Sequence, residues 1–234
     1  MIEIVQVNIK KAGYLDHQAI IENIIFDIPY GQLVGLIGAN GAGKSTTIQA
    51  MMKTIPYLEG ECDVEKYGYV PERPILYEYF TLSEHIDFLI RTVKQNESLL
   101  RNRAKELCEV FRLDQKLNEY PINFSKGMQQ KVMLILALTP TYDFYILDEP
   151  FMGLDPQAIR KLIQLIEDYK NNGAAILMST HALDTAEKIC DAFVLIHHGT
   201  ILKKGKLEQL QRYKNEPLLD IFDDLIEEAE KSYV

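Results

Sequence analysis

The hydrophobic positions change their period several times along the chain. Residues 3–9 and 23–28 alternate apolar and polar side chains and are rich in β-branched residues, which is typical of half-buried strands. The stretch from Leu33 to Ile37 is apolar without interruption, as expected for a parallel strand that is covered on both faces. Residues 144–147 and 175–178 have the same character. The pattern predicts an antiparallel sheet first and a parallel α/β sheet after it.

Helical patterns fill most of the roughly 100 residues between the first two parallel strands, which is too much for a single crossover connection. A helical subdomain is therefore expected in that interval. Thr81-Leu82-Ser83-Glu84 is a capping box that begins one of its helices, and residues 98–111 are predicted to form another. Near the end of the chain, residues 216–230 predict an acidic amphipathic helix. We expect that helix to pack on its own domain rather than on a partner.

A glycine-rich loop lies between the first parallel strand and the helix that follows. It matches the pattern GxxxxGK[ST], in which backbone N–H groups and the positive helix end surround phosphates. Lys44 would bridge the β and γ phosphates, and the Ser45 hydroxyl would ligate Mg²⁺. The residues expected to hold the nucleotide are Gly38, Asn40, Gly41, Ala42, Gly43, Lys44, Ser45 and Thr46. The loop implies ATP or GTP with magnesium.

Two carboxylates, Asp148 and Glu149, follow the second parallel strand, at the strand end where ligands of open α/β sheets bind. Asp148 would hold the magnesium shell. Glu149 could act as a general base that polarises water for attack on the γ phosphate. The alternative is a solvated acidic pair. Together with the loop, the two carboxylates predict a P-loop NTPase core of the RecA-like α/β class.

Five further stretches resemble ABC ATPases in family order, and the resemblance covers nearly the whole chain. Phe124-Ser125-Lys126-Gly127-Met128-Gln129-Gln130-Lys131 resembles the signature motif, and Gly153-Leu154-Asp155-Pro156 resembles the D-loop. Ser179-Thr180-His181 is similar to the switch histidine segment, and Tyr69-Val70-Pro71-Glu72 to the Q-loop. Tyr14 stands at the position of the adenine-stacking aromatic residue.

The resemblance implies the ABC ATPase fold, which has three parts and a C-terminal extension. We expect one ABC ATPase domain over residues 1–234, with four sets of boundaries. These are an antiparallel β subdomain (1–30 and 58–70), a nucleotide-binding core (31–57 and 140–205), a helical subdomain (76–138) and C-terminal helices (206–234).

The resemblance also implies the activity. The chain would be the ATP-hydrolysing subunit of a transporter, and each nucleotide would lie between the phosphate loop of one subunit and the signature motif of a second, with a homodimer as the simpler choice. Ser125 and the backbone of Gly127 would then donate to a nucleotide held by the partner. His181 would contact the γ phosphate, so that Lys44, Glu149 and His181 form the catalytic set. A separate integral membrane permease would select the substrate.

The sequence departs from the family pattern in a few places. Glu72 replaces the usual glutamine of the Q-loop; it can still offer an oxygen to Mg²⁺, or it is a solvated loop carboxylate. Lys126 and Met128 replace a glycine and a glutamine of the commonest signature, whereas Ser125 and Gly127 are retained. Tyr14 would stack on the base, or it is present for packing alone.

Residues 73–80 are unusually aromatic for a loop, and they follow the Q-loop, where the family's permease docks. We hypothesise that substitution of Tyr77 or Phe80 uncouples ATP hydrolysis from the permease; the alternative is that these rings pack inside the helical subdomain. Residues 69–89, together with 124–133 and 150–156, look most like the ATP-binding subunits of ABC-2-like bacterial exporters, especially the Ecs type.

Composition narrows the function further. The net charge of −9 disfavours nucleic acid as a partner, and the three cysteines have no CxxC spacing. No apolar run approaches the ~18 residues of a membrane span, and the N-terminus lacks the pattern of a signal peptide, so we expect a cytoplasmic protein held at the membrane by its permease. The competing interpretation is a non-transport ABC ATPase with a regulatory or assembly role; its common forms carry two ATPase units or coiled-coil inserts, unlike this chain.

Overall fold

A computed structural model describes residues 4–62 and 64–231, so Glu3 of the first predicted strand lies outside the described residues. Its strands are β1 (Ile4–Gly13), β2 (Ile21–Pro29), β3 (Leu33–Ile37), β4 (Tyr57–Cys62), β5 (Gly68–Val70), β6 (Phe144–Asp148), β7 (Ala175–Thr180), β8 (Ala192–His197) and β9 (Thr200–Gly205). Its helices are α1 (Lys44–Met51), α2 (Leu82–Thr92), α3 (Glu97–Val110), α4 (Lys126–Leu138), α5 (Pro156–Asn171), α6 (Leu183–Ile189), α7 (Leu207–Leu210) and α8 (Leu218–Lys231).

The chain divides into two compact units. The first comprises Met1–Tyr67, Asp143–Asp148 and Tyr169–Val234, and the second comprises Gly68–Tyr142 and Glu149–Asp168. The segment expected as one core piece, 140–205, is therefore shared between the units. None of the helices within the described ranges is long and apolar enough to cross a membrane.

The first unit begins with an antiparallel sheet in the order β2-β1-β4. The period-2 pattern of the sequence produces it directly, because the inward-facing residues Val5, Val7 and Ile9 of β1 are all buried while the residues between them are exposed. Strand β5 was expected in this sheet as part of residues 58–70, and that expectation is wrong. Gly68 and Val70 are both buried, unlike the half-exposed residues of β4.

The parallel strands of the first unit lie in the order β6-β7-β3-β8, and β9 pairs antiparallel with β8. Every residue of β3, β6 and β7 is buried, which explains their uninterrupted apolar sequence and confirms that the three predicted strands share one sheet. The register aligns Asp148 with Ser179 and Ile37 with Thr180. The carboxyl ends of β6, β7 and β3 therefore meet at one edge of the sheet.

Helix α8 closes the apolar cluster at the end of the first unit. Leu218, Ile221 and Phe222 are buried in a cluster with residues of β8 and α6, and the Leu218 N–H donates to Glu187 Oε2 at 2.7 Å. The acidic face of α8 stays exposed. The prediction that this helix packs on its own domain is confirmed.

The second unit contains α2, α3 and α4, two short 3-10 turns (Asp114–Lys116 and Pro121–Asn123), β5 and most of α5. The predicted capping box is present at Thr81, whose hydroxyl accepts from the Glu84 N–H at 3.2 Å while the Glu84 carboxylate accepts from the Thr81 N–H at 2.7 Å. The two predicted helices are confirmed, with α3 displaced by one residue from the expected 98–111.

Candidate functional site

The loop of residues 38–46, called here the phosphate loop, connects β3 to α1 in the first unit. Lys44 is only 6% exposed, and its Nζ donates to the carbonyl oxygens of Gly38 at 2.7 Å and Ala39 at 3.2 Å. These carbonyls satisfy an ammonium that would otherwise be costly to bury. A phosphate offers the same ammonium charged acceptors, which bind it more strongly than carbonyls do. The lysine is thus positioned in advance of any anion.

Two glycines give the phosphate loop its shape. Gly41 has φ +81 and Gly43 has φ +109, a region that L side chains rarely adopt. A Cβ on Gly41 would meet no heavy atom within 4 Å, whereas one on Gly43 would lie 2.8 Å from Ile21 Cγ2. Gly43 is therefore packed against β2, whereas the space beside Gly41 is open, so that backbone N–H groups of the loop can face an anion.

The turn between β8 and β9 supports the phosphate loop, and sequence reasoning missed this contact. The Gly199 N–H donates to Ala42 O at 2.9 Å, and Gly199 O accepts from the Glu22 N–H at 2.8 Å. A Cβ on Gly199 would lie 2.0 Å from Ile20 O, so only glycine fits. A glycine in a hairpin turn predicts the turn but not what the turn touches.

Asp148 ends β6 two strands away from the phosphate loop. It is 3% exposed, and the Ser179 hydroxyl of the adjacent strand β7 donates a short hydrogen bond to its Oδ1. This bond fixes the carboxylate at the sheet edge beside the loop. Ser179 was quoted in the sequence only as part of the histidine segment. The parallel register that places it against Asp148 is the signal that could have identified it.

Glu149, the next residue, has an unusual backbone. It is 7% exposed and has φ 47, in the left-handed region that is uncommon for a non-glycine residue. Its carbonyl oxygen accepts from the Met152 N–H at 3.1 Å, which begins the turn toward Gly153. This backbone conformation is unfavourable by itself, so the structure around the buried carboxylate must maintain it.

His181 and Tyr14 both belong to the first unit. His181 is exposed directly after β7, so it lies at the same sheet edge as Asp148 and the phosphate loop. The Tyr14 hydroxyl lies 3.5 Å from Thr46 Oγ1, and the ring is 45% exposed. An exposed aromatic ring beside the loop is available for stacking on a base.

Glu72 and the aromatic segment (residues 73–80) belong to the second unit. Glu72 is half-buried just after β5. The Tyr77 ring packs 5.0 Å from that of Phe80 and 5.4 Å from that of Phe88, and the Tyr77 N–H donates to His85 Nε2. Part of the segment is therefore packed within its own unit. Ile75 and Tyr79 remain 74% and 81% exposed, respectively.

The signature segment packs directly on the D-loop segment. Ser125 caps α4 by accepting from the Met128 N–H, and Ser125 and Lys126 are exposed. A Cβ on Gly127 would lie 2.2 Å from the Gly153 carbonyl oxygen, so the two backbones approach as closely as glycine permits. The exposed start of α4 presents N–H donors and a positive helix end.

Asp155 connects the D-loop segment to the signature segment. Its carboxylate accepts from Lys131 Nζ at 2.6 Å and from the N–H groups of Gln157 and Ala158 at 3.0 Å each, which caps α5. The Lys131 hydrogen bond, followed by the one from Ala158, lowers the pKa of Asp155 to about 2. The carboxylate is therefore charged throughout the physiological range, and sequence reasoning did not identify its partner Lys131.

The predicted site residues thus divide between the units. The phosphate loop, Asp148, His181 and Tyr14 share the first, and Glu72, Glu149, Ser125 and Gly127 belong to the second. The donor set of the first unit fits Mg-ATP: Lys44 and the loop suit phosphates, while the Ser45 hydroxyl and the Asp148 carboxylate are the hard oxygen ligands that Mg²⁺ takes. The described residues hold no group of three or more histidine, cysteine or acidic side chains that could bind another metal.

Comparisons with known proteins agree with these motifs. The family model described as ABC transporter matches residues 21–152. The chain is 41% identical over 230 residues to the ABC transporter ATP-binding protein YthP of Bacillus subtilis (strain 168), covering 95% of this chain and 96% of that protein. It is 36% identical to the ABC-type transporter ATP-binding protein EcsA of the same organism, covering 92% and 94%.

A solved structure described as an ATP binding subunit of an ABC transporter superimposes with a TM-score of 0.91 at 36% identity. The match covers 96% of this chain and all of that one. The similarity therefore extends over both units.

Proposed function

The chain belongs to the ABC transporter family as an ATP-binding, ATP-hydrolysing subunit, and we propose that two copies of it enclose ATP between them and drive a separate membrane permease. ATP-binding subunits of this family dimerise and work with permeases. The observation that carries the proposal for this chain is the exposed start of α4. Ser125 is exposed there while Gly127 is held against Gly153, so N–H donors face outward from the unit that lacks the phosphate loop.

The proposed roles follow from chemistry. Lys44 and the loop N–H groups hold the phosphates, while Ser45, Asp148 and Glu72 supply oxygen ligands to Mg²⁺, which shields phosphate charge when bound. Glu149 accepts a proton from the attacking water. His181 contacts the γ phosphate, and Tyr14 stacks on adenine. Ser125 and Gly127 donate to the nucleotide of the partner copy.

The test uses Glu149→Gln, which should bind ATP but not hydrolyse it. We expect size-exclusion chromatography with light scattering to show a monomer without nucleotide and a dimer with ATP and magnesium. Glu149→Gln combined with Lys44→Ala is the matched control and should stay monomeric, because the phosphates lose their ammonium. A monomer under all conditions, or a variant that still hydrolyses ATP, would contradict the proposal.

We also propose that the permease docks on the exposed part of the aromatic segment, which would hold the protein at the cytoplasmic face of the membrane. Ile75 and Tyr79 are large, exposed hydrophobic residues two positions from Tyr77, and aromatic residues are enriched at interfaces. The resemblance of residues 69–89 to ABC-2-like exporters of the Ecs type supports an export function. A single ABC ATPase domain over residues 1–234 is also part of this proposal.

Docking is tested by the fraction of the chain that sediments with membranes of its native cells. Ile75→Ser and Tyr79→Ser should reduce that fraction. Leu99→Ser is the control, since Leu99 is 67% exposed on α3 of the same unit. Equal sedimentation of all variants would remove the aromatic segment as the docking surface without affecting the ATP sandwich.

A further inference from the structure

The second unit contains a cavity that the proposed ATPase mechanism does not use. Its volume is about 590 Å³, and it lies among the end of α3, the second turn of α4 and the beginning of α5. This volume falls within the range typical of small-molecule sites. Four cationic residues line it, and Asp155 is its single carboxylate: the cations are Arg112, Lys131, Arg160 and Lys161.

The charge of the cavity is unbalanced. Lys131 is paired with Asp155 at 2.6 Å. Within residues 4–62 and 64–231, no carboxylate forms a salt bridge with Arg112, Arg160 or Lys161, although the chain as a whole carries a net charge of −9. Three like charges around one cavity repel one another, and an anion bound among them would relieve that repulsion.

The cavity also has an apolar side. Val110, which is half-buried, and Pro156, which is exposed, give it accessible apolar surface, while Phe111 and Ala158 also line it but are 1% and 4% exposed. A bare inorganic ion would leave this surface unused. The guanidinium groups of Arg112 and Arg160 suit the paired oxygens of a phosphate, which they can bind through two parallel hydrogen bonds.

We propose that this cavity binds a phosphorylated small molecule with an apolar body, separately from the ATP site. Arg112, Arg160 and Lys161 receive its phosphate, and the apolar body lies on Val110 and Pro156. Lys131 lines the same cavity, so the bound phosphate competes with Asp155 for its ammonium. Occupancy of the cavity thereby changes the restraint that Lys131 places on the D-loop segment.

The test measures binding of phenyl phosphate and of inorganic phosphate to the full chain by calorimetry. Saturating Mg-ADP keeps the phosphate loop occupied throughout. The wild-type chain should bind phenyl phosphate saturably and more tightly than inorganic phosphate. Arg112→Gln/Arg160→Gln should weaken phenyl phosphate binding at least about tenfold, because each lost guanidinium removes charge-assisted hydrogen bonds.

The control is Arg91→Gln/Lys94→Gln, which removes two exposed cations of the same unit that do not line the cavity. It should bind as the wild type does. Lys161→Gln, a single exposed change, provides a second measurement if the double variant folds poorly, and it should weaken binding severalfold. Absence of saturable binding by the wild type, or equal binding by the Lys161 variant, the cavity variant and the control, would overturn the proposal.

Discussion

At the scale of single residues, Glu149 shows how backbone geometry and chemistry interact. Its φ of 47 places it in a conformation that costs a non-glycine residue about 1–2 kcal/mol. Glycine or asparagine would occupy that conformation more easily, yet the position carries a buried carboxylate. The retained glutamate is consistent with a residue kept for its chemistry at some expense of stability.

This strain predicts an order of stability among inactive variants. Glu149→Asn should be more stable than Glu149→Gln by about 0.5–1 kcal/mol, because asparagine tolerates the left-handed region better. Both should lose ATP hydrolysis. Urea denaturation of the two proteins provides the comparison.

Glu167 supplies the matched pair, since it is exposed within α5. In a helix asparagine is the poorer residue, so Glu167→Asn should be less stable than Glu167→Gln. If Glu149→Asn is no more stable than Glu149→Gln, backbone strain at position 149 is not significant.

Asp155 provides a pH prediction. A folded-state pKa lowered to about 2 from the ordinary 3.8 contributes stability that is present above pH 3.8 and is lost as pH falls through about 2. Lys131→Gln should raise the pKa of Asp155, although the N–H groups of Gln157 and Ala158 should keep it below 3.8. A carbon-13 titration of the carboxyl groups measures this, with Lys94→Gln expected to leave the value near 2. An unchanged pKa in the Lys131 variant would show that Lys131 does not set it.

The site residues divide into those that sequence spacing could locate and those that it could not. The phosphate loop and Asp148 were predictable because consecutive residues at the end of a buried strand define them. Ser179 and Gly199 were not, because they act through contacts with Asp148 and Ala42, more than 30 residues away in the chain. The Ser179 contact depends on the parallel register of β6 and β7, and the Gly199 contact depends on how the β8–β9 turn packs on the phosphate loop.

At the scale of elements, helix α2 allows the contribution of an N-cap to stability to be measured separately. Thr81→Ala removes the hydroxyl that accepts from the Glu84 N–H and should destabilise the protein by about 1 kcal/mol. ATP hydrolysis at 25 °C should not change, because α2 carries none of the proposed nucleotide ligands. Thermal and urea unfolding measure the loss.

Thr92→Ala is the control for that change. Thr92 lies at the other end of α2, where its hydroxyl donates to the Leu89 carbonyl and caps nothing. Removing the Thr92 hydroxyl should lower the free energy of unfolding by less than about 0.5 kcal/mol, as is usual for exposed substitutions. Equal destabilisation by both changes would mean that the capping box does not stabilise the protein.

Elements with a strong local pattern were predicted to within a few residues, as the uninterrupted apolar run of β3 and the helical period of α3 show. The assignment of β5 was wrong, because a strand of three residues carries no period and its burial is fixed by distant partners. Residues 149–168 were also assigned to the wrong part of the chain. They follow β6 directly but group with the second unit. Their position directly after β6 favours the first unit, but helix α5 packs within the second unit.

At the scale of the whole molecule, the proposed sandwich makes each site a product of two chains. A copy with Lys44→Ala cannot hold phosphate but keeps an intact signature segment. A copy with Ser125→Asp keeps the cap of α4, because aspartate is also a good N-cap, but directs a negative charge toward the partner's nucleotide. Neither variant should hydrolyse ATP on its own.

Mixing the two variants should restore activity. If copies pair at random in an equal mixture, half of the dimers are mixed, and one of the two sites in each combines an intact phosphate loop with an intact signature segment. Up to about a quarter of wild-type activity is then expected if sites act independently. The measurement is steady-state phosphate release from the mixture and from each variant alone. A mixture as inactive as its components would indicate that the two motifs do not meet across a dimer. Full activity of Ser125→Asp alone would place the signature segment outside the site.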